Sequence, residues 1–461
     1  MASVPQSTRI MILAAGSAGD VYPFIVIGQA LLRRGYDVTL VASDNFQERI
    51  ERAGMRFASG LSQADLDQAV RAPDLWHPQK GLFTIWKHMA RHFAPGYARQ
   101  LALVEQGPTV IVASTLAMTG RLLQETRGVP LATVHLAPSC FFSAHDTAMR
   151  AGLEWLTRMP PWAVRIVLSL IERLIIDPVV RREINQLRAS LGLAPVKRVM
   201  SRWLHSPQRV ICAFPDWFAA PQVDWPPNTV CTSFPRMPAP PGEALSAELL
   251  RFLDGDGGAH AGHVAGADAG ARAFVGVGVG ADTIAATDSV RDSAPIAVTP
   301  GSAMAHGREF IERAISAAAV LQRRVVVITP YRDQLPVTLP AFVHHVPYAP
   351  FDALASRVAV FVHHGGIGTS ATVMAAGTPQ LIVPFAYDQP DNGMRLTRLG
   401  VGAMVKPDAP LADWVAALSS LLNEPAVTQA CATLAEKLAS ERPAAEQIAD
   451  LVEALAASPP A

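Results

Sequence analysis

The sequence predicts an α/β protein built from two doubly wound parallel-sheet domains that face each other across a cleft. Three observations predict it. Short β-branched runs alternate with helical patterns at both ends of the chain, a proline-rich segment separates the two alternating regions, and 461 residues suit two domains of roughly 200 better than one.

The first region opens with an apolar run at Ile10 to Ala15 and a glycine turn. A helical pattern from Pro23 to Arg34, a stop at Gly35 and a β-branched run at Val38 to Val41 complete a β-α-β unit. Runs at Thr109 to Ala113, Val129 to His135 and Arg209 to Phe214 extend the same sheet. Residues 1–235 are therefore expected to form a Rossmann-like N-terminal domain. Between Val230 and Glu243 the string CTSFPRMPAPPG disfavours both helix interior and central strand, which places the boundary there.

Residues 236–461 are expected to form a second Rossmann-like domain. A helix around Leu245 to Leu253 leads into a tract, 255–294, in which 20 of 40 residues are Gly or Ala. So few large side chains cannot offset the entropy of ordering, and a flexible insertion is predicted, with at most a weak strand at Phe274 to Val279. Alternation then resumes. Strands are expected at Ile296 to Thr299, Val325 to Thr329, Phe342 to Val346, Val358 to Val362 and Gln380 to Pro384, with helices at Arg308 to Leu321 and Thr369 to Ala376. From Leu411 onward the pattern is helical only, including Ala444 to Ala456.

Composition narrows the function. Half the residues are apolar and 17% are charged, a globular balance, and the 39 basic residues match the 39 acidic ones. Zero net charge argues against a broad nucleic-acid face. The cysteines Cys140, Cys212, Cys231 and Cys431 are far apart and form no C-x-x-C pair, so neither a disulfide framework nor a thiolate zinc site is expected and a reducing, cytoplasmic setting fits. The greasy stretch Trp162 to Ile176 is interrupted by Arg165, Glu172 and Arg173. It is too short to cross a bilayer, but it can lie buried or rest on a membrane surface.

Chemistry concentrates in three strings. FVHHGGIGTS, 361 to 370, follows a β-branched strand and opens a helix. Unpaired N–H groups and the positive end of the helix dipole lie at such a junction, so it reads as a diphosphate cradle. Gly365, Gly366 and Gly368 would allow close approach, Thr369 would add a hydroxyl and His364 a side-chain donor. The same string would also suit a tight turn with packed histidines. FAYDQPDN leaves Asp388 and Gln389 at the carboxyl edge of the sheet, where a carboxylate and a carboxamide can grip vicinal hydroxyls or, for Asp388, cap a helix. GSAGDVYP, 16 to 23, lacks the third glycine of a dinucleotide fingerprint and carries Asp20 where a pyrophosphate would sit. That carboxylate suits proton abstraction from a hydroxyl, or an N-cap for the helix opened by Pro23. Asp254 and Asp256 read as a solvated turn rather than a metal pair, and His260 and His263 lie in the low-complexity tract.

Taken together and in this order, these strings resemble the GT-B glycosyltransferases that use nucleotide sugars. The resemblance implies that Asp20 is the general base, and that His364, Gly366, Gly368 and Thr369 hold the diphosphate. Asp388 and Gln389 would hold the sugar hydroxyls, Gly301 and Ser302 of TPGSA would flank the phosphates, and Tyr348 of PYAP would stack on a pyrimidine. No metal and no further cofactor are implied. GSAGDVYPF, HSPQ at 205 to 208, FPDWFAAPQVDWP at 214 to 226, HHGGIG and AYDQPDN are more closely similar to the rhamnosyltransferases of mono-rhamnolipid assembly. That likeness implies dTDP-L-rhamnose as donor and a hydroxy-fatty-acid acceptor, a 3-(3-hydroxyalkanoyloxy)alkanoate. Phe83, Trp86, Phe141 and the stretch from Trp155 to Ile176 are apolar enough to take acyl chains, although ordinary core packing suits each of them as well.

Overall fold

The computed structural model describes residues 8–150, 152–238, 243–255 and 294–457. Among them are two parallel sheets. The first contains β1 (Arg9–Leu13), β2 (Asp37–Ser43), β3 (Arg56–Leu61), β4 (Thr109–Ser114), β5 (Leu131–His135), β6 (Arg209–Cys212) and β7 (Thr229–Cys231), in the order β3-β2-β1-β4-β5-β6-β7. The second contains β8 (Ile296–Thr299), β9 (Val325–Ile328), β10 (Val343–Val346), β11 (Val360–His363), β12 (Gln380–Ile382) and β13 (Gly402–Met404), in the order β10-β9-β8-β11-β12-β13. Strand order reverses beside β1 in one sheet and beside β8 in the other. Such a switch opens a crevice at the carboxyl edge, and every candidate residue above except those on helix faces follows the end of a strand.

Both faces of each sheet are covered, which explains why the central strands are apolar throughout. Ile10 and Ile12 of β1 pack with Phe24 and Ile27 on one side, while Met11 and Leu13 pack with Trp86 and Ile111 on the other. In β8 the same alternation sends Ile296 and Val298 to one core and Ala297 to another. The three strands that the pattern misses, β3, β7 and β13, are all edge strands. RFASGL and GAM carry no β-branched residue, and TVC carries only the pair Thr229 and Val230, too short a run to read as a strand.

Six helices matter below: α1 (Ala18–Arg33), α2 (Gly81–Val104), α3 (Pro161–Ile171), α4 (Ile367–Ala375), α5 (Gln389–Arg398) and α6 (Ala444–Ala456). Helix α1 starts at Ala18, five residues before the expected Pro23, because Ser17 and Asp20 bond to each other across its first turn and nucleate it there. Pro23 then sits inside the helix near its start. Cys212 and Cys231, distant in sequence, lie opposite each other on β6 and β7, and both are free thiols. Residues 256–293 of the Gly/Ala-rich tract, with Phe274 to Val279, His260, His263 and Asp256, lie outside the described residues, whereas Asp254 forms an ion pair with Arg357.

The last helix leaves the second sheet and returns to the first. Ala445, Ile448, Ala449, Val452 and Leu455 of α6 are buried in the same core as Ile10, Phe24 and Val112. Arg34, just past α1, reaches Glu446 at 2.8 Å, Asp450 at 2.8 Å and Glu453 at 2.6 Å. These partly exposed ion pairs set orientation, and the apolar face supplies most of the attachment. Ile448→Ala should cost about 2 to 5 kcal/mol. Urea unfolding checks this, and an unchanged midpoint would show that α6 contributes nothing to the first core.

Candidate active site

The cradle is built at the end of β11. His363 is fully buried, its Nδ1 accepts the Gly365 N–H at 3.1 Å, and its Nε2 pairs with Gln380 Oε1 at 2.9 Å. Those partners require the proton on Nε2, and burial pushes the imidazole down to about 3, so the ring is neutral and rigid. Gly365 turns the chain at φ +91. A side chain there would come within 2.7 Å of Ile382 Cγ2 and 3.0 Å of the Gln389 carbonyl oxygen. Gly366 is the N-cap of α4, and a Cβ on Gly368 would meet nothing within 4 Å. The first turn of α4, with Thr369 in it, therefore presents free amides to open space.

His364 has a different setting from His363. Its ring lies between two glycine loops: a Cβ on Gly301 (φ +104) would sit 2.8 Å from its Cε1, and one on Gly366 would sit 2.6 Å from its Nε2. Gly301, exposed Ser302 and the cradle are thereby brought together around one imidazole. His364 Nδ1 has no protein partner, and burial holds the ring at about 4.

Asp388 is the N-cap of α5, but its carboxylate does not cap. Its Oδ2 accepts from Asn392 Nδ2 at 2.7 Å, and the same nitrogen donates to the Gly365 carbonyl at 2.9 Å, which ties α5 to the cradle. Gln389 is buried, and its Oε1 accepts the N–H groups of Phe385 at 2.8 Å and Ala386 at 3.1 Å. Its oxygen is committed to its own loop, which leaves only the amide nitrogen for a ligand. Between them and the strand, Tyr387 holds a left-handed φ of +61. Its ring packs edge-on against Trp76 (5.6 Å, 74°) and its hydroxyl donates to the Leu75 carbonyl, both in the first half of the chain. A contact across the cleft thus maintains the backbone strain next to Asp388.

Asp20 is the third residue of α1 rather than its cap, and its Oδ2 accepts both the Ser17 N–H (2.8 Å) and the Ser17 hydroxyl (3.0 Å). Burial raises its carboxyl above the usual range despite those bonds. Its charge reaches across the gap. Asp388 is pushed up to about 7, first by burial and next by the Asp20 carboxylate, and the Tyr387 phenol is raised by the same two causes. The structure therefore brings Asp20, Asp388 and, through Asn392, the cradle into one place.

Sequence reading missed the groups that fasten the two halves there. Asp391, fully buried, accepts the Met149 N–H at 3.0 Å and Arg395 Nε at 2.9 Å. Arg395 also donates to Asp146 at 2.8 Å and to the Phe218 carbonyl at 3.3 Å. The available signal was an acid and a base four apart on one helix, a spacing that usually marks a surface pair.

Tyr348 lies at the end of β10, 53% exposed, on a cavity of about 380 Å³ lined also by Glu243, Leu249 and Pro350. Its hydroxyl donates to Glu243 at 2.8 Å, Glu243 pairs with Arg49 at 3.4 Å, and Arg49 lies over the Tyr22 ring at 4.8 Å. The apolar candidates do not converge. Phe83 is half-buried on α2, Trp86 packs with Met11 and Leu13 on the other face of the first sheet with its indole donating to Glu183 at 3.1 Å, and Phe141 belongs to another cluster, stacked on Trp225 at 4.1 Å. Trp86 and Phe141 therefore do not form one wall, and what they share is burial by neighbouring aromatics. Among the described residues no group of three or more metal-ligating side chains is present, and no helix is long and apolar enough to cross a membrane.

Two facing parallel-sheet domains with a phosphate-type cradle on one side of the gap and a carboxylate on the other define a GT-B architecture. Residues 10–145 match the glycosyltransferase family 28 N-terminal domain, and residues 312–455 match the erythromycin biosynthesis protein CIII-like C-terminal domain. The chain is 26% identical over 457 residues to O-mycaminosyltylonolide 6-deoxyallosyltransferase of Streptomyces fradiae, covering 94% of each. It is 24% identical to a sterol 3-beta-glucosyltransferase of Aspergillus fumigatus, over 87% of this chain and 26% of that one. Among solved structures it resembles the kitacinnamycin glycotransferase (TM-score 0.68, 18% identity, 97% and 99% covered). It also resembles the glycosyltransferase VinC in complex with dTDP (TM-score 0.63, 16% identity, 97% and 99% covered). The chain belongs to the GT-B glycosyltransferase superfamily and is a glycosyltransferase that acts with nucleotide sugars.

Because burial keeps His364 near 4, it should remain neutral through the physiological range. Its ring-proton NMR signal, assigned by its loss in His364→Gln, should begin to move only below about pH 5. Movement near pH 6.5 would mean that the ring is solvated and not enclosed by the two loops.

Proposed function

We propose that the chain is an inverting transferase that moves L-rhamnose from dTDP-L-rhamnose onto the hydroxyl of a 3-(3-hydroxyalkanoyloxy)alkanoate, giving mono-rhamnolipid. The observation that carries the donor half is the open first turn of α4, with unpartnered His364 Nδ1 beside it and Asp20 opposite. The tryptophan-rich string and the 6-deoxyallosyl specificity of the Streptomyces relative support the sugar, and the dTDP complex of a structural relative supports the nucleotide. In this reading the boundary lies at 235/236, with the acceptor on residues 1–235 and the donor on residues 236–461.

The roles follow from position. Gly301, Ser302, His364, Gly366, Gly368 and Thr369 surround the diphosphate, whose growing negative charge on departure is met by oriented amides rather than by a metal. Tyr348 offers a half-exposed ring for the pyrimidine. Asp388 accepts hydrogen bonds from sugar hydroxyls, and Gln389 contributes only its amide N–H groups. Asp20 takes the acceptor's proton as the glycosidic bond forms, and a single in-line displacement inverts the anomeric carbon. On the acceptor side, half-buried Arg150 donates to the Ser139 carbonyl and makes no ion pair among the described residues, which suits the carboxylate of an acidic lipid. Phe83 and Phe141 remain the proposed acyl contacts. The reaction takes place on the cytoplasmic side, near the membrane that receives the product.

The sterol glucosyltransferase likeness favours a second reading, transfer of glucose from a UDP-sugar to another lipophilic acceptor. Mass spectrometry of products from a panel of dTDP- and UDP-sugars separates the two readings. Turnover with UDP-glucose alone would remove the first.

Asp20→Asn should lower kcat by roughly 10²- to 10⁴-fold while donor affinity survives. Turnover equal to that of the unmodified enzyme would exclude Asp20 as base. The same variant supplies a pH test. Asp388 is raised to about 7 partly by the Asp20 charge, so wild-type donor affinity should fall as pH drops through about 7 and Asp388 becomes protonated. With Asp20 neutralised the midpoint should move to lower pH, and calorimetric titration of donor across pH would show whether it does.

A further inference from the structure

We infer that α3 and the turn after it form a docking ridge for an anionic lipid bilayer, placed so that an acyl acceptor passes from the bilayer toward the cleft. Trp162, Ile166, Leu170 and Leu174 recur every four residues, and Trp162 and Leu174 are 68% and 65% exposed. A π turn follows at Glu172–Ile176, and its extra residue leaves Ile175 exposed beside Leu174. A continuous strip of this kind on a soluble face is unusual unless something covers it.

Charge selects the partner. From 155 to 182 every exposed charged residue is an arginine, Arg158, Arg165, Arg173 and Arg182, with Arg181 half-buried. The two acids of the same stretch are turned inward and occupied. Glu172 accepts from the Ser201 N–H at 2.7 Å and from Arg198 at 3.2 Å, and Asp177 accepts the N–H groups of Arg198 at 2.8 Å and Val199 at 3.1 Å. An apolar strip ending in a tryptophan and flanked by cations alone matches an interface of acyl chains and anionic headgroups. A second copy of this chain would bring arginines against arginines.

The layer beneath the ridge borders the active site. Val164 and Leu168, on the inner side of α3, pack with Ala144 and Leu156. The adjoining segment carries Asp146 and Met149, which hold Arg395 and Asp391 of the donor side. The lipid-delivery part of the inference rests on the proposed acyl acceptor, whereas the docking part does not.

The test is co-sedimentation of the full chain at low salt with vesicles of phosphatidylglycerol and phosphatidylcholine, or of phosphatidylcholine alone. Binding to the anionic vesicles is expected. It should weaken at least about tenfold in Trp162→Ser/Leu174→Ser, and it should weaken also in Arg165→Gln/Arg173→Gln. Both variants should keep their circular dichroism and their thermal unfolding midpoint. No binding to anionic vesicles, or equal binding by the apolar double variant, overturns the ridge. Equal binding to phosphatidylcholine alone overturns the anionic assignment. Self-association that the apolar variant abolishes, without vesicle binding, shows that the strip joins two copies and also overturns it. Vesicle binding needs no substrate, so failure of rhamnosyl transfer to every acceptor would refute the functional reading and leave the docking result standing.

Discussion

The arrangement depends on a few backbone amides left unpaired where β11 gives way to α4. A helix cannot satisfy its first N–H groups internally, and here neither a side-chain cap nor a neighbouring carbonyl is supplied for them. The surrounding residues are arranged to keep that turn open and fixed. His363 is locked by Gln380 below it, Gly365 at φ +91 has no Cβ to strike Ile382 and Gln389, and Asn392 ties the turn's carbonyl to the next helix. An anion-binding surface made of amides needs this rigidity, because dipoles that must reorient when charge appears stabilise it less.

The same constraint explains why so much polar chemistry is buried between the halves. Asp391, Arg395 and Asp146 cost desolvation energy that an apolar contact would avoid, and their net contribution to stability is small or negative. Their value is in register. They fix α5 relative to the segment before α3, and α5 carries Asp388 toward Asp20. Tyr387 adds to this: its strained backbone is maintained by Trp76 and Leu75 from the opposite domain, so the position of Asp388 depends on the two halves being together.

The central strands were legible because burial on both faces leaves an uninterrupted apolar run, and β8 and α6 match the pattern to the residue. Three of the four edge strands, β3, β7 and β13, were not, since pairing on one side relaxes the composition, whereas edge strand β10 kept a readable run at Phe342 to Val346. The cradle string could be read because glycine and a strand-to-helix change leave a local signature. Its internal division of labour could not: HH gives no hint that His363 is a buried strut while His364 is enclosed by Gly301, a contact between positions more than sixty residues apart. Likewise Gln389 reads as a ligand group, and only the fold shows its oxygen holding Phe385 and Ala386. The crossing of α6 to the first sheet is a long-range packing choice that its amphipathic pattern does not specify.

Placing two carboxylates close together has an electrostatic consequence that bears on mechanism. Two negative charges in a partly dehydrated gap repel, so one of the pair holds its proton to a higher pH than it would alone, and the shared charge belongs to the pair rather than to either residue. Asp388 is left near its midpoint at neutral pH, while burial raises the Asp20 carboxyl and its bonds to Ser17 draw it back. A base that must remove a proton from an alkyl hydroxyl gains from being raised above the usual carboxylate range, because the mismatch in acidity narrows. In its proposed role toward the sugar, Asp388 near its midpoint could either accept or donate a hydrogen bond. The contacts of Tyr387 with Trp76 and Leu75 hold its loop, and with it Asp388, within reach of the Asp20 charge, so the packing of the two halves sets the electrostatics of Asp388 as well as its position.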